Sequence, residues 1–158
     1  MLVAGVLAVL LLGGVAGASE KDGSLEERLL EASGRLQMPG SESDSGWWFV
    51  SYPGEQGLPT VERMAAITSC SGYPESGMGR FDFDATFDTL SRVELWMDEG
   101  QRDSARGFGK RGKLFHREYG DELAVYRCET GEYGQVHIYF VGAKPDGLAG
   151  LMTINTET

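Results

Sequence analysis

Apolar residues return at helical spacing after Ser24, where Leu25, Leu29, Leu30 and Leu36 mark one face. Ser24 reads as the N-cap, with Glu26 and Glu27 in the acidic first turn and Gly34 weakening the last. Residues 38–46 (MPGSESDSG) are loop by composition. Trp47 to Tyr52 is a β-rich aromatic run closed by Pro53-Gly54. Thr60 then caps a second helix whose apolar side is Val61, Met64, Ala65 and Ile67, and residues 71–79 form a loop rich in Gly, Ser and Pro. Phe81-Asp82-Phe83-Asp84 alternates strictly, which predicts a short strand with its Phe side chains inward. Residues 97–119 read two ways: Met97, Ala105, Phe108 and Phe115 suggest a helix, while Gly100, Gly107, Gly109 and Gly112 oppose it at up to about 1 kcal/mol each. Leu123 to Cys128, Gln135 to Val141 and Leu148 to Ile154 read as three strands, the last two joined by a tight turn at Pro145-Asp146-Gly147. Helices first and an antiparallel meander last make an α+β domain.

Ahead of this domain, residues 1–18 (MLVAGVLAVLLLGGVAGA) carry no side-chain charge and end in a small-x-small pattern before Ser19. They read as a removable export signal, although a basic residue near the start is missing. The chain therefore divides into a signal over 1–18, a polar lead-in over 19–23 and one domain over 24–158. Such a signal places the mature protein in a periplasm or outside the cell, and a misassigned start would leave it cytoplasmic. In the exported case Cys70 and Cys128 suit a disulfide; in the cytosolic case they are free thiols. A length of 158 residues suffices for a real core, and 24 acidic against 14 basic residues give a net charge of -10. That balance disfavours nucleic acid and anionic membranes as partners and favours basic surfaces.

The residues do not assemble into a recognisable active site. Zinc needs about four ligands, and His116 and His137 are the only histidines. Asp82, Asp84 and Asp88 lack the spacing of a calcium loop. Gly107-Phe108-Gly109-Lys110-Arg111-Gly112 has the glycine spacing of a phosphate loop, but no strand leads into it. The basic cluster Arg102, Arg106, Lys110, Arg111 and Lys113 fits a solvated helical face better than a phosphate site. His137 falls in an apolar strand, where a sheet-face histidine is the ordinary case. The protein reads as a non-enzyme.

The C-terminal third carries a resemblance. Val125-Tyr126-Arg127, Val136-His137-Ile138-Tyr139-Phe140-Val141-Gly142, Pro145-Asp146-Gly147-Leu148-Ala149-Gly150-Leu151, Thr153 and the final Glu157-Thr158 resemble the end of the nuclease A inhibitor family. Ser41-Glu42-Ser43-Asp44 is similar to the family's Ser-Glu-Ser-acid loop, Phe83-Asp84 with Phe87 to its strand-to-helix junction, and Trp96 with Asp98-Glu99 and Phe108 to the start of its long helix. The resemblance implies an α/β/α sandwich with a central, mainly antiparallel sheet, like that of plant pathogenesis-related proteins. It also implies that 97–119 is helical. By the same likeness the protein blocks a non-specific, metal-dependent DNA/RNA endonuclease without a cofactor of its own and without touching nucleic acid. Thr158 would reach the partner's catalytic divalent ion, Mg²⁺ in such enzymes; Glu157 would share that tail, Glu42 would assist, and Trp96 would add a contact. Terminal oxygen donors suit a hard cation with open positions, which is an independent point in favour. The inhibitor would be a monomer until it binds, with no stable membrane association once the signal is gone.

Three departures bear on the partner. Leu95 stands where the family carries an acid, Ser45-Gly46-Trp47-Trp48 replaces a Tyr-Pro pair after the Ser-Glu-Ser-Asp loop, and extra residues lie around Thr130 to Gly134. The signal and the cysteine pair are likewise foreign to the family. The alternative reading is an exported inhibitor-like module with a different protein partner.

Overall fold

The computed structural model of the chain describes residues 23–41, 45–68, 70, 77–130 and 134–157. The export-signal reading of 1–18 lies outside them, as do Glu42 and Thr158. Helix α1 (Leu25–Ser33) opens as expected: the Ser24 side chain accepts from the Glu27 N–H, the Glu27 carboxylate accepts from the Ser24 N–H, and Gly34 closes the helix. Strand β1 (Trp47–Pro53) and helix α2 (Val61–Ile67) follow, with Thr60 capping the latter. Next come β2 (Met78–Phe81), α3 (Phe83–Leu90) and α4 (Glu99–Tyr119). The chain ends in β3 (Leu123–Glu129), β4 (Gln135–Lys144) and β5 (Gly147–Thr156).

The strands form one sheet in the order β1-β5-β4-β3-β2, with every neighbouring pair antiparallel. The β3-β4-β5 meander is its centre, and β1 and β2 are its edges. Alternation along β4 shows how the sheet divides the core. Val136, Ile138 and Phe140 face a cluster built with Leu29, Phe87, Phe108 and Phe115, from α1, α3 and α4. Tyr139, Val141 and Ala143 face the opposite cluster, with Met64 of α2 and the two cysteines. Among the described residues this is an α+β chain of four helices and a five-stranded antiparallel sheet, with helices on both faces.

Two stretches differ from the sequence expectation. The strand expected over 81–84 stops at Phe81, which is 47% exposed, while Phe83 is buried as the first residue of α3. The cause is Asp82, whose Oδ1 accepts from the Ala85 N–H at 2.8 Å and so caps a helix. Four alternating residues are too few to separate the two periods. The loop expected over 71–79 also gives up Met78 and Gly79 to β2.

Within the region 97–119, Glu99–Tyr119 is one 21-residue helix, and two of its four glycines, Gly107 and Gly112, are close-packing sites rather than breaks. A Cβ on Gly107 would come within 2.2 Å of Leu36 Cδ2, and one on Gly112 within 3.0 Å of Phe87 Cδ1. Their absence lets α4 lie close to the segment after α1 and to α3. Arg111, read from the sequence as part of a solvated basic face, is instead fully buried. Its guanidinium lies 3.8 Å from the Trp47 ring centroid, and none of its nitrogens has a hydrogen-bond partner. The helical turn, which places 104, 108 and 111 on one side, turns Arg111 inward with Phe108.

Candidate functional site

The end of β5 is built into the sheet. Beyond the last register pair, Gln135 with Thr156, the Glu157 N–H donates to the Gly134 carbonyl at 2.9 Å. Gly134 sits at φ 69°, and a Cβ there would lie 1.9 Å from the Glu157 carbonyl oxygen, so the close approach demands glycine. The Glu157 carboxylate turns back along the sheet. Its Oε1 accepts from Arg127 Nη2 at 2.8 Å and from Asn155 Nδ2 at 2.9 Å.

The loop after α1 is fastened to the same strand at two points. Thr156 N–H lies 3.5 Å from Ser41 Oγ, and Thr153 Oγ1 donates to the Gly46 carbonyl at 3.0 Å. Glu42 itself lies outside the described residues; the residue before it in sequence is held on β5. Thr158 is likewise outside them, and the residue before it is the tethered Glu157.

Trp96 stands in the turn between α3 and α4, 72% exposed, with Leu95 beside it at 97%. Arg102 Nη2 donates to the Leu95 carbonyl at 2.9 Å, and Asp98 caps α4 through a reciprocal pair with Gln101, so this exposed turn is braced from behind. Trp96 lines a cavity of about 160 Å³ together with Met38, Ser41, Leu90 and Phe108. Met38 and Leu90 also wall a wider, mainly apolar groove of about 440 Å³ that runs between α3 and the sheet to Arg127. The path from Trp96 through the 38–41 loop to Arg127 and Glu157 is thus continuous. Of the residues singled out from the sequence, Trp96 and Glu157 are described, and both lie along this path with Ser41 and Thr156.

Among the described residues, no three His, Cys, Asp or Glu side chains are grouped to hold a metal ion. Cys70 and Cys128 are joined in a disulfide, which resolves the choice left open by the sequence. His116 is occupied at both ring nitrogens, 2.6 Å from Asp84 Oδ1 and 3.1 Å from the Gly120 carbonyl. The hydrogen bond with Asp84 raises its pKa above the ordinary histidine value. Two of the three aspartates have structural roles, Asp82 as a cap and Asp84 on His116. His137 is half-buried on β4, opposite Cys128.

Glu157, the Ser41 and Gly46 attachments to β5 and an exposed aromatic turn share one end of a chain whose net charge is -10. A model of nuclease A inhibitor-like proteins matches residues 23–158, the entire described domain. The chain belongs to the nuclease A inhibitor-like family. The family's name describes inhibitors of a nuclease, so a nuclease is the partner class that membership implies. No curated protein matches the sequence.

Sequence reasoning had no role for Arg127, Asn155 or Gly134. Arg127 stood in the motif Val125-Tyr126-Arg127, but its link to Glu157 spans the width of β4 and depends on register. The glycine that ends the extra residues around Thr130 to Gly134 was the one available signal, because a hairpin closing against another chain segment often needs a positive φ.

Proposed function

We propose that the protein inhibits a metal-dependent, non-specific endonuclease by presenting its acidic C-terminal tail to the catalytic divalent ion. Thr158 would supply oxygen donors, a hydroxyl and a terminal carboxylate, of the hard kind that Mg²⁺ takes. Glu42 assists at the same place, and Trp96 enters the partner's surface beside them. The ion belongs to the nuclease, and the inhibitor has no cofactor and no catalytic residue of its own. The observation that carries this reading is the convergence at one end of the molecule: Ser41 lies on Thr156, Glu157 is fastened to the sheet, and Trp96 shares a cavity with Ser41. A net charge of -10 favours approach to a cleft built for phosphates. Helices on both faces of an antiparallel sheet are in keeping with a fold like that of pathogenesis-related proteins.

In this reading the protein is exported, monomeric before it meets its partner, and free of nucleic acid and membrane. The disulfide favours an oxidising compartment. Among the described residues no helix is long and apolar enough to cross a membrane. Removing Thr158, or replacing Trp96 with Ala, should weaken inhibition of a Mg²⁺-dependent non-specific nuclease by about tenfold or more. Unchanged inhibition by both variants would remove the proposed site. Leu95 favours a second reading, a changed protein partner, because a nearly fully exposed leucine stands beside Trp96. A Leu95→Glu variant that inhibits such a nuclease more tightly than the natural chain would support it.

A further inference from the structure

We infer that Arg127 and Asn155 are positioning residues that clasp the tail through the Glu157 carboxylate. Glu157 then orients the residue after it instead of meeting the partner itself. This rests on the tail reading proposed above. Three contacts converge on Glu157 from three places: Arg127 on β3, Asn155 on β5 and the Gly134 carbonyl ahead of β4. The Arg127 pair alone is half exposed and would hold little, as surface ion pairs do. Asn155 changes the balance, because it is only 5% exposed and its Nδ2 has Glu157 Oε1 as its acceptor.

If the carboxylate left for a partner's metal, a buried amide donor and a guanidinium would both lose their acceptor, a cost of about tenfold or more in affinity. The clasp also explains Gly134: only glycine lets the hairpin carbonyl come near enough to take the Glu157 N–H. The Asn155 Oδ1 atom, buried and without a partner, lets the amide turn over and accept from a cation placed at 157. A charge swap is therefore chemically compatible with the site.

The test compares the natural chain with Arg127→Glu, with the double variant Arg127→Glu/Glu157→Arg, and with a form lacking Thr158. Hydrogen exchange at the 157 amide, corrected for intrinsic rates, reads the clasp without any partner. Arg127→Glu should speed it about tenfold and the swap should restore protection. Inhibition of a Mg²⁺-dependent nuclease should follow the same order, weakened about tenfold by Arg127→Glu and returned to within about threefold by the swap. Exchange indifferent to Arg127→Glu would overturn the clasp. Restored exchange without restored inhibition would overturn it too, because the carboxylate itself would then be meeting the partner. If no form, the natural chain included, inhibits a nuclease, the inhibitor reading fails while the exchange result still decides the clasp. If the form lacking Thr158 inhibits fully, the role of the tail fails and the clasp is only structural.

Discussion

Arg111 is the residue whose environment departs furthest from its chemistry. A guanidinium with five donors is enclosed without an acceptor, held against the faces of Trp47 and Phe108. Burial pushes its pKa down to about 9, which leaves it charged at neutral pH. Stacking on a tryptophan returns up to about 2 kcal/mol, less than the several that desolvating an ion costs. Arg111→Met, which keeps length and loses charge, should therefore raise unfolding stability by about 1 kcal/mol or more in denaturant melts. A loss of about 2 kcal/mol would show that the charge is stabilising where it lies. Sequence could not reveal this site, because five basic residues on one glycine-rich helix read as a solvated face. Only the packing of α4 against β1 separates Arg111 from the others.

At the scale of elements, caps and strands were readable because their causes are local. Ser24, Thr60 and the Pro145-Asp146-Gly147 turn act within a few residues, and each does what its chemistry dictates. The junction at Asp82 was not readable, since its alternation serves a strand or a cap equally. The length of α4 was legible only through family likeness, because Gly107 and Gly112 are explained by Leu36 and Phe87, both distant in sequence. The join between α3 and α4 makes a pH prediction. The folded pKa of His116 is raised by Asp84, so the contact contributes fully below the unfolded value near 6.5 and is lost as pH rises through the folded value. The melting temperature should fall from about pH 6 to about pH 8, and Asp84→Asn should flatten that slope. An identical slope in the variant would assign the pH dependence elsewhere. The effect is small, because both side chains are solvent-exposed.

Across the whole molecule, the disulfide links the segment after α2 to β3 over 58 residues of sequence, on the face of the sheet away from α4. Closing a loop of that size stabilises by about 4 kcal/mol in the chain-entropy picture. Reduction under denaturant should lower the unfolding midpoint accordingly, and an unchanged midpoint would mean that the hydrophobic cluster around Met64 suffices alone. The α+β architecture was legible from periodicity. Of the proposed site, Trp96 was singled out from family likeness alone, while Glu42 and Thr158 lie outside the described residues. The clasp on Glu157 was hidden, since it requires three strands in register. The most direct measurement is a titration of the purified protein against a Mg²⁺-dependent non-specific nuclease, following DNA cleavage. The expected result is loss of activity at one inhibitor per enzyme, with activity returning when Glu157 and Thr158 are removed. Full cleavage at a large excess of the intact protein, or equal inhibition by the truncated form, would contradict it.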